Sequence, residues 1–287
     1  MTAPLRLSCP TCRQPLGETL ACANGHRFRV EGGVLVLLDA DFERRLRDFE
    51  AVLGRFRQDT GRRLLDPAVY EGLPFSLADR HFEWKMRCHD LAVATRLVGG
   101  RPRRILDVGA WNGWLSHRLA KLGHDVTAAD YFTDPYDGLG AHVHYEHAGF
   151  RPIQLDLDDL SALGGPFDAV IVNRCLAFFS DPLAQVEHVR DLLAPGALLL
   201  LTGLAFFRNP RTKAREVADL RRDYRERYGA EIFLRPTKGY LDGDDRRALE
   251  RRGVTLRAEW RLARANLEAL VRPTRPFYCH GVYRKPA

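Results

Sequence analysis

The most regular pattern of apolar and polar positions lies in the middle of the chain. Arg104–Val108 is a short, mostly apolar run that predicts a buried strand, and Gly109-Ala110-Trp111-Asn112-Gly113 predicts a turn. Residues 115–121 have helical spacing, and the next apolar run closes on Asp130. Further strands are expected at 152–155, reaching Asp156-Leu157, and at 167–172, reaching Asn173. A helix is expected over 182–193, stopped by Ala194-Pro195-Gly196, with a fifth strand at 197–202. Strands alternating with helices in this way predict a doubly wound α/β sheet.

The flanks are read in the same way. In 41–58, Phe42, Leu46, Phe49, Leu53 and Phe56 fall on one helical stripe, expected to be core. Residues 55–77 contain Gly61, Pro67, Gly72 and Pro74 and predict an irregular connection, followed by a helix over 85–97. Residues 206–240 carry a long Arg-rich helix expected to cover a site as a lid. An antiparallel pair is expected at 254–261 and 277–283, and 28–38 predicts two strands about Gly32-Gly33.

The turn at Gly109 and Gly113 is the first candidate for chemistry, because a missing Cβ lets backbone approach a ligand. Asp130 stands about 20 residues further on, where a carboxylate can accept from both hydroxyls of a ribose. This geometry serves NAD and S-adenosylmethionine alike. Holding a pyrophosphate calls for G-x-G-x-x-G, whereas Ala-Trp-Asn separates the two glycines here.

The pattern D-x-G-x-x-x-G at Asp107, Gly109 and Gly113 resembles motif I of class I S-adenosylmethionine-dependent methyltransferases. Asp130, Asp156, Asn173 and the phrase LLAPGALLLLTG follow in that family's order, so the resemblance covers roughly 84–204. It implies a seven-stranded Rossmann-like methyltransferase sheet with S-adenosylmethionine as cofactor. Gly109, Ala110 and Gly113 would line its amino-acid end, with Asp107, Trp111 and Asn112 also among the cofactor-binding residues. Asp130 would take the ribose and Asp156 and Leu157 the adenine, Asn173 would lie beneath the methyl-donor pocket, and Tyr131 is also among the cofactor-binding residues. Trp111 stands where many members have glycine, and its position is expected to need no positive φ.

Cys9-Pro-Thr-Cys12 and Cys22-Ala-Asn-Gly-His26 form a C-x2-C…C-x3-H set. Two knuckles of this spacing can bring three thiolates and an imidazole around a structural zinc, with no position left open for catalysis. This front module resembles the zinc ribbon of ribosomal RNA guanine-N1 methyltransferases and also the small ribbon proteins that activate methyltransferases in trans. The expected organisation is a zinc ribbon at 1–40, a helical linker at 41–83 and a methyltransferase domain at 84–287, with a basic helical insertion at about 206–240.

Charge narrows the acceptor. The chain has 287 residues and a net charge of +7. By segment the net charge is 0 for 1–41, +5 for 42–104, −8 for 105–204, +5 for 205–240 and +5 for 241–287. A basic rim around an acidic cofactor core suits an anionic acceptor, RNA among them, but a neutral ribbon is a poor phosphate tracker. Cys88, Cys175 and Cys279 are expected to be inert and buried. No run of 18 apolar residues occurs, so the expectation is a cytoplasmic chain with no membrane partner.

Asn173-Arg174-Cys175-Leu176 lacks the Asn/Asp-Pro-Pro-Tyr/Phe set that grips an exocyclic amine. The loop after Asp130 holds Tyr131, Tyr136, His142, His144, Tyr145 and His147, and Tyr136 and His144 are the candidate proton-handling residues. The reading is an S-adenosylmethionine-dependent methyltransferase acting on a small anionic or hydroxylated acceptor, favoured over RNA because the lid would enclose the site. The alternatives are an RNA base methyltransferase and a non-catalytic scaffold with a degenerate fold. Oligomeric state is left open.

Overall fold

A computed structural model describes residues 5–287 apart from Glu259 and Pro273. At its centre Arg104–Val108 (β3) is buried at every position, and its side chains alternate between two cores. Leu106 and Val108 pack with Val186 and Val189 of α4 (Pro182–Asp191). Ile105 points the other way, toward Val93, Ala94 and Val98 of α2 (Phe82–Val98) and Leu115 and Leu119 of α3 (Trp114–Lys121).

The other central strands are β4 (Asp125–Asp130), β5 (Phe150–Leu155), β6 (Phe167–Asn173) and β7 (Leu193–Phe207). With β8 (Thr255–Arg257) and β9 (Pro276–Arg284) the order is β8-β9-β7-β6-β3-β4-β5; β9 is antiparallel to both of its neighbours, and the pairings from β7 to β5 are parallel. These are the seven expected strands. Parallel registers such as Leu106↔Thr127 and Leu106↔Val170 bring the tips of β3, β4 and β6 to the same edge.

The sheet continues beyond β5. The hairpin β1 (Arg29–Glu31) and β2 (Val34–Leu37) is not separate, because β2 pairs in parallel with β5 at Leu35↔Ile153 and Leu37↔Leu155. The Cys-rich segment is tied down as well: Arg6–Leu7 pairs with Leu163–Gly164, and Arg13 binds Asp159 at 2.5 Å.

Chain entry into α1 (Ala40–Asp59) is fixed by Asp39, whose side chain accepts from Asp41 N and Phe42 N at 3.0 and 2.9 Å. After β7, Asn209 caps α5 (Pro210–Tyr228), so Phe206 belongs to the strand and not to the insertion. Leu241–Asp242 adds a short parallel pairing to β7 before α6 (Gly243–Arg251). The strand expected at 254–261 stops at Arg257. A helix, α7 (Ala263–Val271), follows a 3-10 turn at Trp260–Leu262, because the apolar positions there repeat with helical and not strand period.

Candidate functional site

The tips of β3, β4 and β6, together with α1, α2, α5 and the segment after α5, enclose a cavity of about 880 Å³. That is near the upper end of the range for small-molecule sites, roughly 300–1,000 Å³. Phe49, Leu53 and Phe56 of the α1 stripe line it, so only the stripe's first half, Phe42 and Leu46, is closed core. Val217, Leu220, Phe233 and Arg235 line it too, which places the Arg-rich insertion at the cavity, and Tyr224 packs on Phe56 of α1 at 5.1 Å.

Gly109 has φ +72, and a Cβ there would lie 2.5 Å from Cys175 Sγ. The missing Cβ therefore makes room for a thiol as well as for any ligand. Cys175 donates to Val108 O at 3.3 Å, and burial pushes its thiol well up, which leaves it a poor nucleophile.

Trp111 departs from expectation, because its φ is +54. A left-handed residue other than glycine costs about 1–2 kcal/mol, offset here by Trp111 N donating to Asp130 Oδ2 at 2.7 Å. The indole does not fill the cleft. It stacks on Trp84 at 5.6 Å and 27°, with the Arg57 and Arg87 guanidinium groups 5.0 and 5.1 Å from its centre. Trp111 is thus one wall of the cavity.

Asp130 is 4 % exposed, and its Oδ1 also accepts from Phe132 N at 3.0 Å. Burial pushes its carboxyl up to about 6 despite these bonds. A carboxylate has about four acceptor positions, so two backbone donors leave capacity for a ligand hydroxyl.

The cations were not singled out by the sequence. Arg87 is mostly buried against Trp84 at 4.7 Å, and among the described residues its Nη1 makes no hydrogen bond, with Glu83 its ion-pair partner at 3.6 Å. Burial, then the nearby Arg174, pulls Arg87 down to about 10. Arg174 is left-handed, φ +56, and bonds Asp90 at 3.1 Å. The signal available was the i,i+3 spacing of Trp84 and Arg87 on α2.

Of the expected cofactor residues, Gly109, Trp111, Asp130, Tyr131, Leu157 and Asn173 line the cavity. Asn173 is oriented by donating to Thr202 Oγ1 at 2.6 Å. Asp107, Ala110, Asn112, Gly113 and Asp156 are not part of the lining. Asp107 is wholly buried and accepts from Ser116 Oγ at 2.7 Å, so it braces α3 from beneath the turn, and burial pushes it up to about 7. Asn112 accepts from Trp114 N and from Tyr145 Oη through its carbonyl, while Gly113, φ +75, leaves space for the Phe150 ring. Asp156 is engaged by Arg235.

Tyr136 and His144 also lie outside the lining. Asp134 Oδ1 accepts from Tyr136 N at 2.8 Å, Tyr70 Oη donates to Tyr136 O at 2.7 Å, and His144 Nε2 bonds Pro135 O at 2.8 Å. Their rings stack at 5.1 Å, with Tyr70 against His144 at 4.8 Å. This aromatic stack packs both side chains outside the cavity lining. His81, at the start of α2, is the one histidine lining it among the described residues.

The ligand atoms of Cys9, Cys12, Cys22 and His26 all lie within 4.8 Å of one another. Cys9 and Cys22 Sγ are 3.5 and 3.3 Å from His26 Nδ1, and Cys12 and Cys22 Sγ are 3.6 Å apart. Tetrahedral zinc with bonds of about 2.0–2.3 Å holds its ligand atoms about 3.5–3.8 Å apart; these three separations are near that, and the donor set suits the ion. The Gln14 backbone N–H pulls the Cys12 thiol down to about 6, which suits a thiolate ligand.

Comparison with known proteins agrees with this architecture. The chain is 36% identical over 113 residues to a ubiquinone biosynthesis O-methyltransferase of Cereibacter sphaeroides, covering 39% of this chain and 44% of that protein. A Caulobacter protein of the same name is 32% identical over 124 residues, covering 42% and 47%. The chain thus matches somewhat under half the length of these relatives. A chain of the complex between the Haloferax volcanii Trm112 methyltransferase activator and its partner methyltransferase shares the fold at 18% identity and a TM-score of 0.50, covering 77% of this chain and 97% of that one. The profile of a methyltransferase domain family matches residues 80–231, just over half of the sequence and the part that carries most of the cavity. With the sheet order and the strand-tip cavity, that match shows that the chain belongs to the methyltransferase domain family.

Proposed function

We propose that the protein is an S-adenosylmethionine-dependent methyltransferase whose acceptor is a small anionic or hydroxylated molecule, bound beneath α5 and the segment after it. The observation that carries this reading is that the buried Asp130 carboxylate faces the same cavity as Arg57, Arg87 and Arg174. An acid at the tip of the second central strand suits ribose hydroxyls, and an under-bonded buried guanidinium suits the donor's carboxylate. The donor supplies a methyl group on a sulfonium. Asp130 would accept from the ribose, Arg87 would neutralise the carboxylate, Leu157 would border the adenine and Asn173 would bound the reacting end.

The remaining lining matches the acceptor. Arg62, Arg80, Lys213 and Arg235 add positive charge, while Phe49, Phe56, Phe178 and Phe233 supply ring faces. An aromatic acid or phenol meets both demands. The relatives named as ubiquinone biosynthesis O-methyltransferases support an oxygen nucleophile, which must lose a proton, and His81, in the cavity lining, would take it. Enclosure beneath α5 favours such a molecule over an RNA base.

In the same reading Cys9, Cys12, Cys22 and His26 hold a structural zinc. Its work is to order residues 5–28, and β2 carries that order into the sheet edge at β5. The assay is transfer of radiolabelled methyl from S-adenosylmethionine to a panel of hydroxylated aromatic acids, with transfer RNA and ribosomal RNA alongside. Transfer to a phenolic acid supports the proposal; transfer confined to RNA would overturn the acceptor class.

A further inference from the structure

Helix α7 is inverted relative to the core it sits on. Its polar Asn266 faces inward, donating to Tyr278 O at 2.9 Å and accepting from Tyr278 N at 2.7 Å, beside the buried Ala269. Its apolar stripe faces outward. Leu267, Leu270 and Val271 are 64%, 58% and 78% exposed, and Trp260 just before the helix is 75% exposed. Ala263, Leu267, Leu270 and Val271 fall at i, i+4, i+7 and i+8, the spacing of a continuous apolar face that a water-soluble helix normally buries.

The surroundings of this face are basic. Residues 257–275 hold five arginines and two acids. Arg257, Arg261, Arg264, Arg272 and Arg275 are all exposed, and among the described residues Arg264 alone has an ion-pair partner, Glu268 at 3.5 Å. We propose that Trp260 and α7 form a docking surface for an anionic phospholipid bilayer, with the helix lying in the plane of the headgroups. An amphipathic helix with arginines beside an apolar face and an aromatic residue at its edge has the chemistry of an interfacial anchor. A second copy of this chain is the wrong occupant, because two such faces would oppose ten arginines with few acids to answer them. Among the described residues no helix is long and apolar enough to cross a membrane, and surface docking requires none.

The surface is also connected to the cavity. Arg208, which leads from β7 into α5, donates to Leu270 O at 3.0 Å. Docking would thus hold the base of the lid near the lipid surface.

The test is co-sedimentation of the full chain with vesicles of phosphatidylcholine alone or with about one quarter phosphatidylglycerol. Binding to the anionic vesicles, weakened by salt, is expected, with a blue shift in emission that Trp260→Phe removes. Leu267→Asp with Leu270→Asp alters exposed positions only, so thermal unfolding and donor affinity should match wild type while vesicle binding falls at least about ten-fold. Failure of the wild type to bind anionic vesicles at low salt would overturn the proposal, as would wild-type binding by the double variant. A concentration-dependent dimer abolished by the double variant would reassign the face to a second copy and also overturn it.

Discussion

Arg235 ties the lid to the nucleotide edge of the sheet: its guanidinium pairs with Asp156 and lies 2.9 Å from Asp158, just past the tip of β5. The same group sits 4.9 Å over the Phe42 ring. The acid that the sequence assigned to an adenine is therefore held by a residue of the segment after α5.

Arg235→Ala should release this segment with little loss of global stability. Partly exposed ion pairs contribute about 1 kcal/mol or less, so the melting temperature should drop by only a few degrees. Limited proteolysis within 229–240 should accelerate clearly. An unchanged digestion pattern would show that other contacts hold the lid.

The raised Asp130 carboxyl gives a pH dependence with a definite sign. Its proton is held more tightly in the folded chain than in the unfolded one, so the ionised group detracts from stability at neutral pH. Stability from this group should rise as pH falls from about 6 toward the ordinary carboxylate value. Donor affinity runs the opposite way, because ribose hydroxyls need the ionised acceptor. Affinity should weaken about ten-fold per pH unit below 6, and Asp130→Asn should bind weakly at every pH. Titrations from pH 5 to 8 read both effects.

Trp111 separates conformation from contact. Trp111→Gly relieves the left-handed strain, while Trp111→Ala keeps it and loses the same stack on Trp84. Glycine should therefore be the more stable of the two by about 1 kcal/mol in chemical denaturation. Both should weaken donor binding, because Arg57 and Arg87 lose the ring between them. Equal stability would mean that the positive φ carries no strain.

Proton removal distinguishes His81 from the loop residues. His81→Gln should lower kcat toward a phenolic acceptor by about 100-fold and leave donor affinity unchanged. Tyr136→Phe and His144→Gln should retain kcat, because their rings support the loop from outside the cavity. A large kcat loss in His144→Gln with an intact fold would return the base to that loop.

Zinc content and edge pairing should move together. The wild type should carry one zinc per chain and Cys12→Ser none. Hydrogen exchange at Val34–Leu37 should then quicken, because β2 is held at the sheet edge from the ribbon side. Metal-free wild-type protein with protected β2 amides would dismiss the ion.

Much of the sheet was legible because its strands are buried on both faces and read as unbroken apolar runs, as at 169–172 and 198–201. Asp130 was legible from its spacing to the glycine turn. The long-range partners were not. Nothing local to residues 34–37 indicates parallel pairing with Ile153, and nothing local to Arg235 indicates Asp156. The α1 stripe was read as core because helical periodicity cannot distinguish a packed face from a cavity wall, and Phe49 and Phe56 prove to be the latter. Tyr136 and His144 looked functional by residue type alone, whereas backbone caps and ring stacking decide where they point. Trp111 was misjudged in its dihedral because one sequence does not reveal which side of a tight turn must be left-handed.

The central claim is that a sulfonium nucleoside occupies the cavity beside Asp130. Isothermal titration of the full chain with S-adenosylmethionine and with its demethylated product, in wild type and Asp130→Asn, tests it most directly. The account predicts one site per chain for each ligand in the wild type and an affinity at least about ten-fold weaker in the variant. No binding of either ligand by folded wild type, or equal affinity in Asp130→Asn, would contradict it.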